Sequence, residues 1–321
     1  MHYNKKLNPL TLEEYKSEEC IKAFQEYWEK NDSHKKNFDA GRLRISLTEG
    51  CNFRCPYCFN EGMACKSAKS FSIKDISTIL EASEGIVKRV KLTGGEPLFH
   101  KDIVEIIKIC SEKYQTTLTT NGSLLEKISS VADKLAYMRV SVPSLDEHEY
   151  KQLTGSNYSP KDIFKKIQEL KRITNIHTSL NVVVNSVNIE NLREHLDQMS
   201  NVGIDRIRLF GIIITDSDFM KFYYPSDKIK AKLDDWFGSP KMISASQLEY
   251  KTANGTSIEL FYHYCFIGCN VCRTNGHLRI TPEPEISYCL AKKGISIEKE
   301  IQNSDVKGLR KALLSAIDLM G

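Results

Sequence analysis

Short β-branched or aliphatic segments alternate with longer amphipathic segments through the first two thirds of the chain. Six strand-like segments are Leu43–Leu47, Val90–Leu92, Thr116–Thr119, Tyr137–Val142, Ser179–Val184 and Arg206–Phe210. Helical patterns between them begin at Ser72, Asp102, Ser123, Ser159 and Asn188. Strands and helices in this alternation predict βαβ units and a parallel sheet. Six units are too few for a complete eightfold barrel, so an α/β fold with an open, partial (β/α)6 TIM-like barrel is predicted.

The alternation fades after about Gly211, which divides the chain into three predicted parts. Residues 1–40 are charged and predict a helical N-terminal segment. Residues 41–211 carry the barrel pattern, and residues 212–321 predict a smaller, less regular C-terminal module with its own group of cysteines. No low-complexity linker separates the last two parts.

The composition excludes several classes of protein. The chain has 321 residues, 41% of them hydrophobic and 27% charged, as expected for one large globular domain or two smaller ones. No apolar run reaches the length of about 18 residues that a membrane span needs, and the N-terminus lacks a signal-peptide core. We therefore expect a cytoplasmic protein without a membrane partner. A net charge of +4 is too small to predict nucleic-acid binding.

Three cysteines, Cys51, Cys55 and Cys58, follow the first strand at a C-x3-C-x2-C spacing. In a reducing cytoplasm, clustered cysteines bind metals or take part in catalysis more often than they form disulfides. Structural zinc sites usually have four protein ligands, which would leave this set one ligand short. Three thiolates can instead hold a four-iron cluster and leave the fourth iron open to a ligand such as S-adenosylmethionine. The spacing alone leaves zinc and iron–sulfur both open.

Unusual polar motifs follow the next three strands. They are Thr93–Pro97 (TGGEP), Thr119–Gly122 (TTNG) and Ser141–Ser144 (SVPS). Parallel α/β folds bind ligands at the carboxyl ends of their strands. We therefore expect these motifs and the cysteines to form a single site.

Four residues near the cysteines suit a nucleoside ligand with an amino-acid group. Tyr57 would place a flat ring near an adenine. Gly94 and Gly95 allow the backbone to approach a ligand closely, and Glu96 would accept hydrogen bonds from a ligand ammonium.

The motifs CNFRCPYC and LTGGEP together resemble those of the radical S-adenosylmethionine (SAM) superfamily. LRISLTEGCNFRCPYC, VKLTGGEPLFHKDI, LTTNGSLL and SVPSLDEHEYKQLTG also match, in order, the GTP 3′,8-cyclase family of molybdenum-cofactor biosynthesis. The similarity covers about residues 42–210 and resumes around 269–290. It implies a [4Fe-4S] cluster at Cys51, Cys55 and Cys58. The SAM contacts that it implies are Gly94, Gly95, Glu96, Thr120, Asn121, Ser141 and Arg208.

A second set of cysteines lies near the C-terminus, with the spacing Cys269-x2-Cys272-x16-Cys289. The spacing leaves zinc and iron–sulfur open, and Cys265 or His277 could complete a zinc site. The resemblance implies that Cys269, Cys272 and Cys289 hold a second, auxiliary [4Fe-4S] cluster that faces the substrate.

Four basic residues, Arg44, Arg89, Lys91 and Arg279, align with basic positions of the cyclase family, which implies a phosphorylated or otherwise anionic small-molecule substrate. Other positions depart from that family. The chain ends in a single glycine, Gly321, where the family has two. Further departures are Gly50, Pro143, Ser179, Gly211 and His277. We therefore predict a diverged paralogue that shares the scaffold and acts on a different substrate.

The resulting hypothesis is a radical SAM enzyme that cleaves SAM to a 5′-deoxyadenosyl radical. The radical would abstract hydrogen from a nucleotide, nucleoside or sugar derivative, for cyclisation or rearrangement in cofactor or natural-product biosynthesis. A peptide-modifying maturase is the main alternative, and a zinc-ribbon nucleic-acid-binding protein is a remote one. We also expect an electron donor such as flavodoxin or ferredoxin, a monomer or homodimer, and no nucleic-acid partner.

Overall fold

The structure is a computed structural model that describes residues 41–58, 69–212, 217–244, 247–261, 277–288 and 294–319. The predicted N-terminal helical segment lies outside the described residues, as does Gly321. The C-terminal cysteines Cys265, Cys269, Cys272 and Cys289 also lie outside them.

The strands of the described residues join in one sheet. They are β1 (Arg42–Ser46), β2 (Arg89–Thr93), β3 (Gln115–Thr120), β4 (Tyr137–Ser141), β5 (Thr178–Val183), β6 (Arg206–Phe210), β7 (Lys241–Ser244), β8 (Gln247–Lys251), β9 (Ser257–Phe261), β10 (His277–Thr281), β11 (Glu285–Ser287) and β12 (Ile295–Ser296). Their order is β12-β11-β10-β1-β2-β3-β4-β5-β6-β9-β8-β7. Strands β1 to β6 are parallel and adjacent in chain order, which confirms the predicted α/β class.

Residues after 211 extend this same sheet at both of its edges. Strand β10 pairs in parallel with β1, and β9 pairs in parallel with β6. The outer strands β11, β12, β8 and β7 are antiparallel. Eight neighbouring strands are therefore parallel within the described part of the chain. The partial-barrel shape and the domain boundary at 211 stay predictions.

Eight α-helices lie between or after the strands of the described residues. They are α1 (Ile73–Ala82), α2 (Ile103–Lys113), α3 (Glu147–Thr154), α4 (Pro160–Ile173), α5 (Leu192–Ser200), α6 (Ser226–Phe237), α7 (Glu298–Gln302) and α8 (Val306–Asp318). Helix α1 begins with a capping box, in which the Ser72 hydroxyl and the Asp75 carboxylate each accept from the other's backbone N–H. Among the described residues, no helix has the length and apolar character needed to cross a bilayer.

The helix expected from Ser123 is not formed. The segment folds instead as two short 3-10 turns, Leu125–Ile128 and Ala132–Lys134. Adjacent serines interrupt its pattern, and the Ser129 hydroxyl donates to the carbonyl oxygen of Glu126 (3.0 Å), which offers the backbone an alternative to a continuous helix.

Side chains on the parallel strands alternate between an apolar and a polar face. The apolar face, here called the helix face, joins the buried helix residues in one hydrophobic cluster. Its members include Leu43, Ile45, Val90, Leu92, Leu118, Met138, Val140, Leu180, Val182, Ile207 and Leu209. The opposite face, here called the polar face, carries Arg44, Ser46, Lys91, Thr93, Thr117, Thr119, Arg139, Ser141, Ser179, Asn181, Arg208 and Glu259.

Much of the polar face is also shielded from solvent. Ser46 is 0% exposed, Glu259 4% and Arg139 6%. Parallel sheets covered on both faces usually carry apolar residues on both. A shielded face with charges and hydroxyls therefore indicates a place for a polar ligand rather than a second packed core.

Candidate functional site

The three thiols of the first cysteine motif lie in the loop that leaves the carboxyl end of β1. Cys51 and Cys58 are exposed, and Cys55 is half-buried. The backbone N–H of Cys58 donates to the carbonyl oxygen of Cys55 (3.1 Å), which forms a tight turn. Burial raises the pKa of Cys55, and the nearby Cys58 and Cys51 sulfurs raise it further. Three neighbouring thiolates would repel one another, and a cationic iron cluster would offset that repulsion, so the chemistry of this donor set fits an iron–sulfur cluster.

The cysteine loop is anchored to helix α3. Phe53 is buried between the cysteines, with its ring 6.4 Å from that of Tyr150 and 5.7 Å from that of Tyr158. The backbone N–H of Arg54 donates to the carbonyl at the end of α3 (2.8 Å). The next residue, Gly155, has φ of +59°, and a Cβ there would lie 2.7 Å from the Arg54 carbonyl oxygen. Only glycine permits this approach, which fixes one side of the loop.

The loop after β2 packs against the other side of the cysteine loop. The N–H of Gly95 donates to the carbonyl oxygen of Thr48 (2.7 Å), and that of Glu96 donates to Gly50 (2.8 Å). A Cβ on Gly95 would lie 2.4 Å from the Gly50 carbonyl oxygen. The close approach expected at Gly95 therefore serves the contact between the two loops. Contacts of Gly94 and Gly95 with SAM stay predictions.

Glu96 joins the loop after β2 to the loop after β3. Its carboxylate, 1% exposed, accepts hydrogen bonds from the Thr120 hydroxyl (2.6 Å), the Asn121 N–H (2.7 Å) and the Leu98 N–H (2.9 Å). Burial raises the pKa of Glu96 to about 7, although these hydrogen bonds act in the opposite direction. Oε2 accepts only the Asn121 bond among these three, so it keeps a lone pair for the predicted ligand ammonium.

A network of amide and hydroxyl side chains links the loops after β1 and β3. Asn121 Nδ2 donates to Asn52 Oδ1 (2.9 Å), and Asn52 Nδ2 donates to Ser123 Oγ (2.8 Å). The Ser123 N–H closes the network by donating to Asn121 Oδ1 (2.9 Å). Sequence reasoning selected Asn121 but missed Asn52 and Ser123, which stand inside the quoted motifs CNFRC and TTNGS.

Tyr57 lies beside the cysteines and is half-buried. Its ring packs edge-on against Phe222, at 6.0 Å between ring centroids. Burial raises the pKa of Tyr57 well above its usual value, so the phenol stays neutral. Its contact with an adenine stays a prediction.

Ser141 and Arg208, two further predicted SAM contacts, lie in one row across the polar face. Ser141 pairs in register with Asn181, which pairs with Arg208, which pairs with Glu259. Arg208 Nε lies 3.4 Å from Glu259 Oε2, and its guanidinium lies 4.3 Å from the ring centroid of Phe261. Burial and a neighbouring positive charge lower the pKa of Arg208 to about 10. Arg208 therefore already has an anionic partner.

Three of the four predicted substrate-binding cations are neighbours. Arg44 pairs in register with Lys91 on one side and with Arg279 on the other, and all three are half-buried. Arg89 is exposed at the amino end of β2, where it pairs with Arg42. The structure thus brings Arg44, Lys91 and Arg279 together and places Arg89 two residues before Lys91, at the amino end of β2.

The fold is shared with solved structures. Streptococcus suis SuiB bound to S-adenosylmethionine superposes with a TM-score of 0.62 over 88% of this chain and 68% of that one, at 16% identity. At this identity, the likeness shows a shared fold.

The family model of the radical SAM superfamily matches residues 45–199. The GTP 3′,8-cyclase of Haemophilus influenzae is 27% identical over 298 residues, which are 85% of each chain. The probable GTP 3′,8-cyclase of Methanococcus aeolicus is 30% identical over 208 residues, 61% of this chain and 68% of its own. Together with the three thiols at the end of β1, these matches show that the chain belongs to the radical SAM superfamily and is related within it to GTP 3′,8-cyclases.

Proposed function

We propose that this radical SAM enzyme acts on a small anionic molecule, a nucleotide, nucleoside or sugar derivative, in a reaction related to that of GTP 3′,8-cyclases. The observation that carries the proposal is the assembly of Cys51, Cys55 and Cys58 beside Gly95 and Glu96 at one end of a parallel sheet. The names of the relatives, which match over most of both chains, support a nucleotide-like substrate.

The three thiols would hold a [4Fe-4S] cluster. When bound there together with SAM, such a cluster would supply the electron that reductive cleavage of SAM requires, and the resulting 5′-deoxyadenosyl radical would abstract hydrogen from the substrate. The protein's part is to position the reactants. The Asn52, Asn121 and Ser123 network and the Glu96 carboxylate hold three loops in fixed relation. Such rigidity keeps reacting groups at the short separations that hydrogen transfer requires.

The neighbouring cations Arg279, Arg44 and Lys91 would attract the anionic group of the substrate. Guanidinium groups bind phosphate and carboxylate in a bidentate manner, which fixes both charge and orientation. We further propose that Cys269, Cys272 and Cys289 hold the auxiliary cluster. An external reductant such as flavodoxin or ferredoxin would supply the electron.

Product analysis after anaerobic reconstitution tests the proposal. The protein should be brown and contain about eight irons per chain if both clusters form. With dithionite, SAM and a panel of phosphorylated nucleotides, we expect deoxyadenosine whose formation depends on one of them. Deuterium from that labelled nucleotide should appear in the deoxyadenosine. A colourless protein without SAM cleavage would overturn the proposal, and turnover with GTP alone would contradict the predicted divergence.

The peptide-modifying alternative is tested in the same assay. SuiB has also been solved bound to its precursor peptide SuiA, with a TM-score of 0.61 at 17% identity to this chain, which shows a shared fold alone. Deoxyadenosine formation that requires a peptide and ignores every nucleotide would favour this alternative. Membership of the radical SAM superfamily replaces the zinc-ribbon hypothesis.

A further inference from the structure

Several buried polar atoms on the polar face have no hydrogen-bond partner among the described residues. They are Ser46 Oγ, Thr119 Oγ1, Arg139 Nε and Asn181 Oδ1. Native proteins pair the great majority of their buried polar atoms, with protein groups, water or a ligand. A group of unpaired atoms on one face therefore calls for a binding partner.

Three of these residues lie on neighbouring strands of the sheet. Thr119 on β3 pairs in register with Arg139 on β4, and Arg139 pairs with Ser179 on β5. Asn181 lies two residues beyond Ser179, on the same face of β5. Neighbouring strands lie about 4.8 Å apart, so one small group can reach side chains from all three.

Arg139 is the least compensated charge of this group. It is 6% exposed, its Nη2 donates to the Tyr137 hydroxyl (2.5 Å), and its guanidinium lies 4.4 Å from the centroid of that ring. Within the described part of the chain it has no carboxylate in ion-pair contact. Burial lowers the pKa of Arg139, and the positive charges of Arg42 and Arg44 act in the same direction. A buried cation without an anion is costly for a folded protein, whereas Arg208 on the same face has Glu259.

We propose that Thr119, Arg139 and Asn181 form a binding site for an oxyanion of the substrate, a phosphate or a carboxylate. Arg139 Nε supplies a donor for the anion, and the Thr119 hydroxyl supplies a second one. Asn181 Oδ1 needs a donor in return, so the ligand carries a hydroxyl or amine next to its anionic group.

This site deepens the proposed function and rests on it, because a substrate held there lies beside the strand ends that carry the predicted SAM contacts. Thr119 immediately precedes Thr120 and Asn121, and Asn181 pairs in register with Ser141. Sequence reasoning had selected cations on β1, β2, β6 and β10 and had not selected Arg139.

The test compares Arg139→Gln with Arg172→Gln. Arg172 is an exposed residue of α4, so the control removes the same charge without touching the polar face. Binding of GTP, guanosine, inorganic pyrophosphate and malonate to the anaerobically reconstituted protein is measured by calorimetry. We expect Arg139→Gln to weaken binding of the anions by about tenfold or more, and Arg172→Gln to leave it unchanged. Pyrophosphate binding would indicate a phosphate site, and malonate binding a carboxylate site.

A purely structural role for Arg139 gives different results. If the site awaits an anion, unliganded Arg139→Gln should melt at or above the wild-type temperature, because an unpaired buried charge has been removed. Loss of stability with unchanged anion affinity would overturn the proposal, as would failure of all three anionic probes to bind the wild type. Thr119→Val, which keeps the side-chain shape, provides a second variant and should weaken anion binding severalfold.

A parallel assay separates this inference from the proposed function. SAM cleavage by dithionite is measured in the wild type without substrate. Absent cleavage together with Arg139-dependent anion binding would contradict the proposed function alone. Intact cleavage together with equal anion affinity in Arg139→Gln and Arg172→Gln would contradict the oxyanion site alone.

Discussion

The helix face and the polar face are built from the same strands, but the side chains of the two faces differ in how they are packed and hydrogen-bonded. On the helix face, residues such as Leu118, Val140 and Leu180 are fully buried against helices in one cluster. On the polar face, Arg139 is buried and Thr119 is half-buried, yet Arg139 Nε and Thr119 Oγ1 are buried atoms without a hydrogen-bond partner among the described residues. One face thus supplies the burial that stabilises the fold, and the buried polar atoms of the other support our proposal that it binds a ligand.

Charges on the polar face show the same contrast on a smaller scale. Arg208 is compensated by Glu259, which also lies 2.7 Å from Arg206. Arg139 has no such acid among the described residues, and it lies opposite the uncharged Ser179. On β4, therefore, a positive charge of this face lacks an acidic partner among the described residues.

The largest expected effect separates the cysteines of the site from a cysteine of the core. Cys55→Ala should abolish SAM cleavage and remove about four irons, because the first cluster loses one of its three thiolates. Cys110→Ala is the matched control, since Cys110 is buried on α2 and should keep all irons while costing about 1 kcal/mol of stability. Iron analysis and deoxyadenosine assays measure both variants. Equal iron loss in the two would mean that Cys110, too, supports the cluster.

Substitutions at two adjacent residues of β3, Leu118 on the helix face and Thr119 on the polar face, allow a direct comparison of the two faces. Leu118→Ala removes fully buried apolar contacts and should lower the free energy of unfolding by about 2–5 kcal/mol. Thr119→Ala removes an unpartnered hydroxyl and should change it by less than about 1 kcal/mol. Urea unfolding of the unliganded protein measures both. A Thr119 variant as unstable as the Leu118 variant would refute the division of roles between the faces.

The last expected effect depends on pH and concerns Glu96, which ties the loops together. Its pKa is raised from 4.5 to about 7, so the folded state holds a proton that the unfolded state releases between these values. The stabilisation that the protonated Glu96 gives the folded state is complete below pH 4.5 and is lost as the pH rises through 7. The stability of the wild type relative to Glu96→Gln should therefore fall by about 3 kcal/mol between pH 4.5 and pH 8.

Urea unfolding at several pH values measures this difference. Glu84→Gln is the control, because Glu84 is exposed and Lys113 holds the pKa of its carboxyl below the usual value. The difference in free energy of unfolding between the wild type and Glu84→Gln should stay nearly constant between pH 4.5 and pH 8. A constant difference for Glu96 would show that its three hydrogen bonds outweigh burial and keep the carboxylate ionised.

Local patterns in the sequence predicted most of the fold. Alternating apolar residues located β1 to β6, and the motifs at Cys51–Cys58, Thr93–Pro97 and Thr119–Gly122 stand at strand ends as expected. The prediction of a helix from Ser123 was wrong, because hydroxyl side chains there compete for backbone hydrogen bonds. The periodicity of apolar residues does not reveal this competition. Helix α3 was missed because it is short and mostly polar.

The sequence by itself determined the parallel α/β class, the superfamily and the three thiols of the site, because each depends on residues close together in the chain. The tertiary structure alone showed that Asn52 meets Asn121 across 69 positions and that Arg139 faces Thr119 without an acidic partner in the part of the chain that is described. These relations depend on strand register and on loops that meet only after the sheet has formed. Chemistry that arises from contacts between distant segments leaves no periodic signal in the sequence.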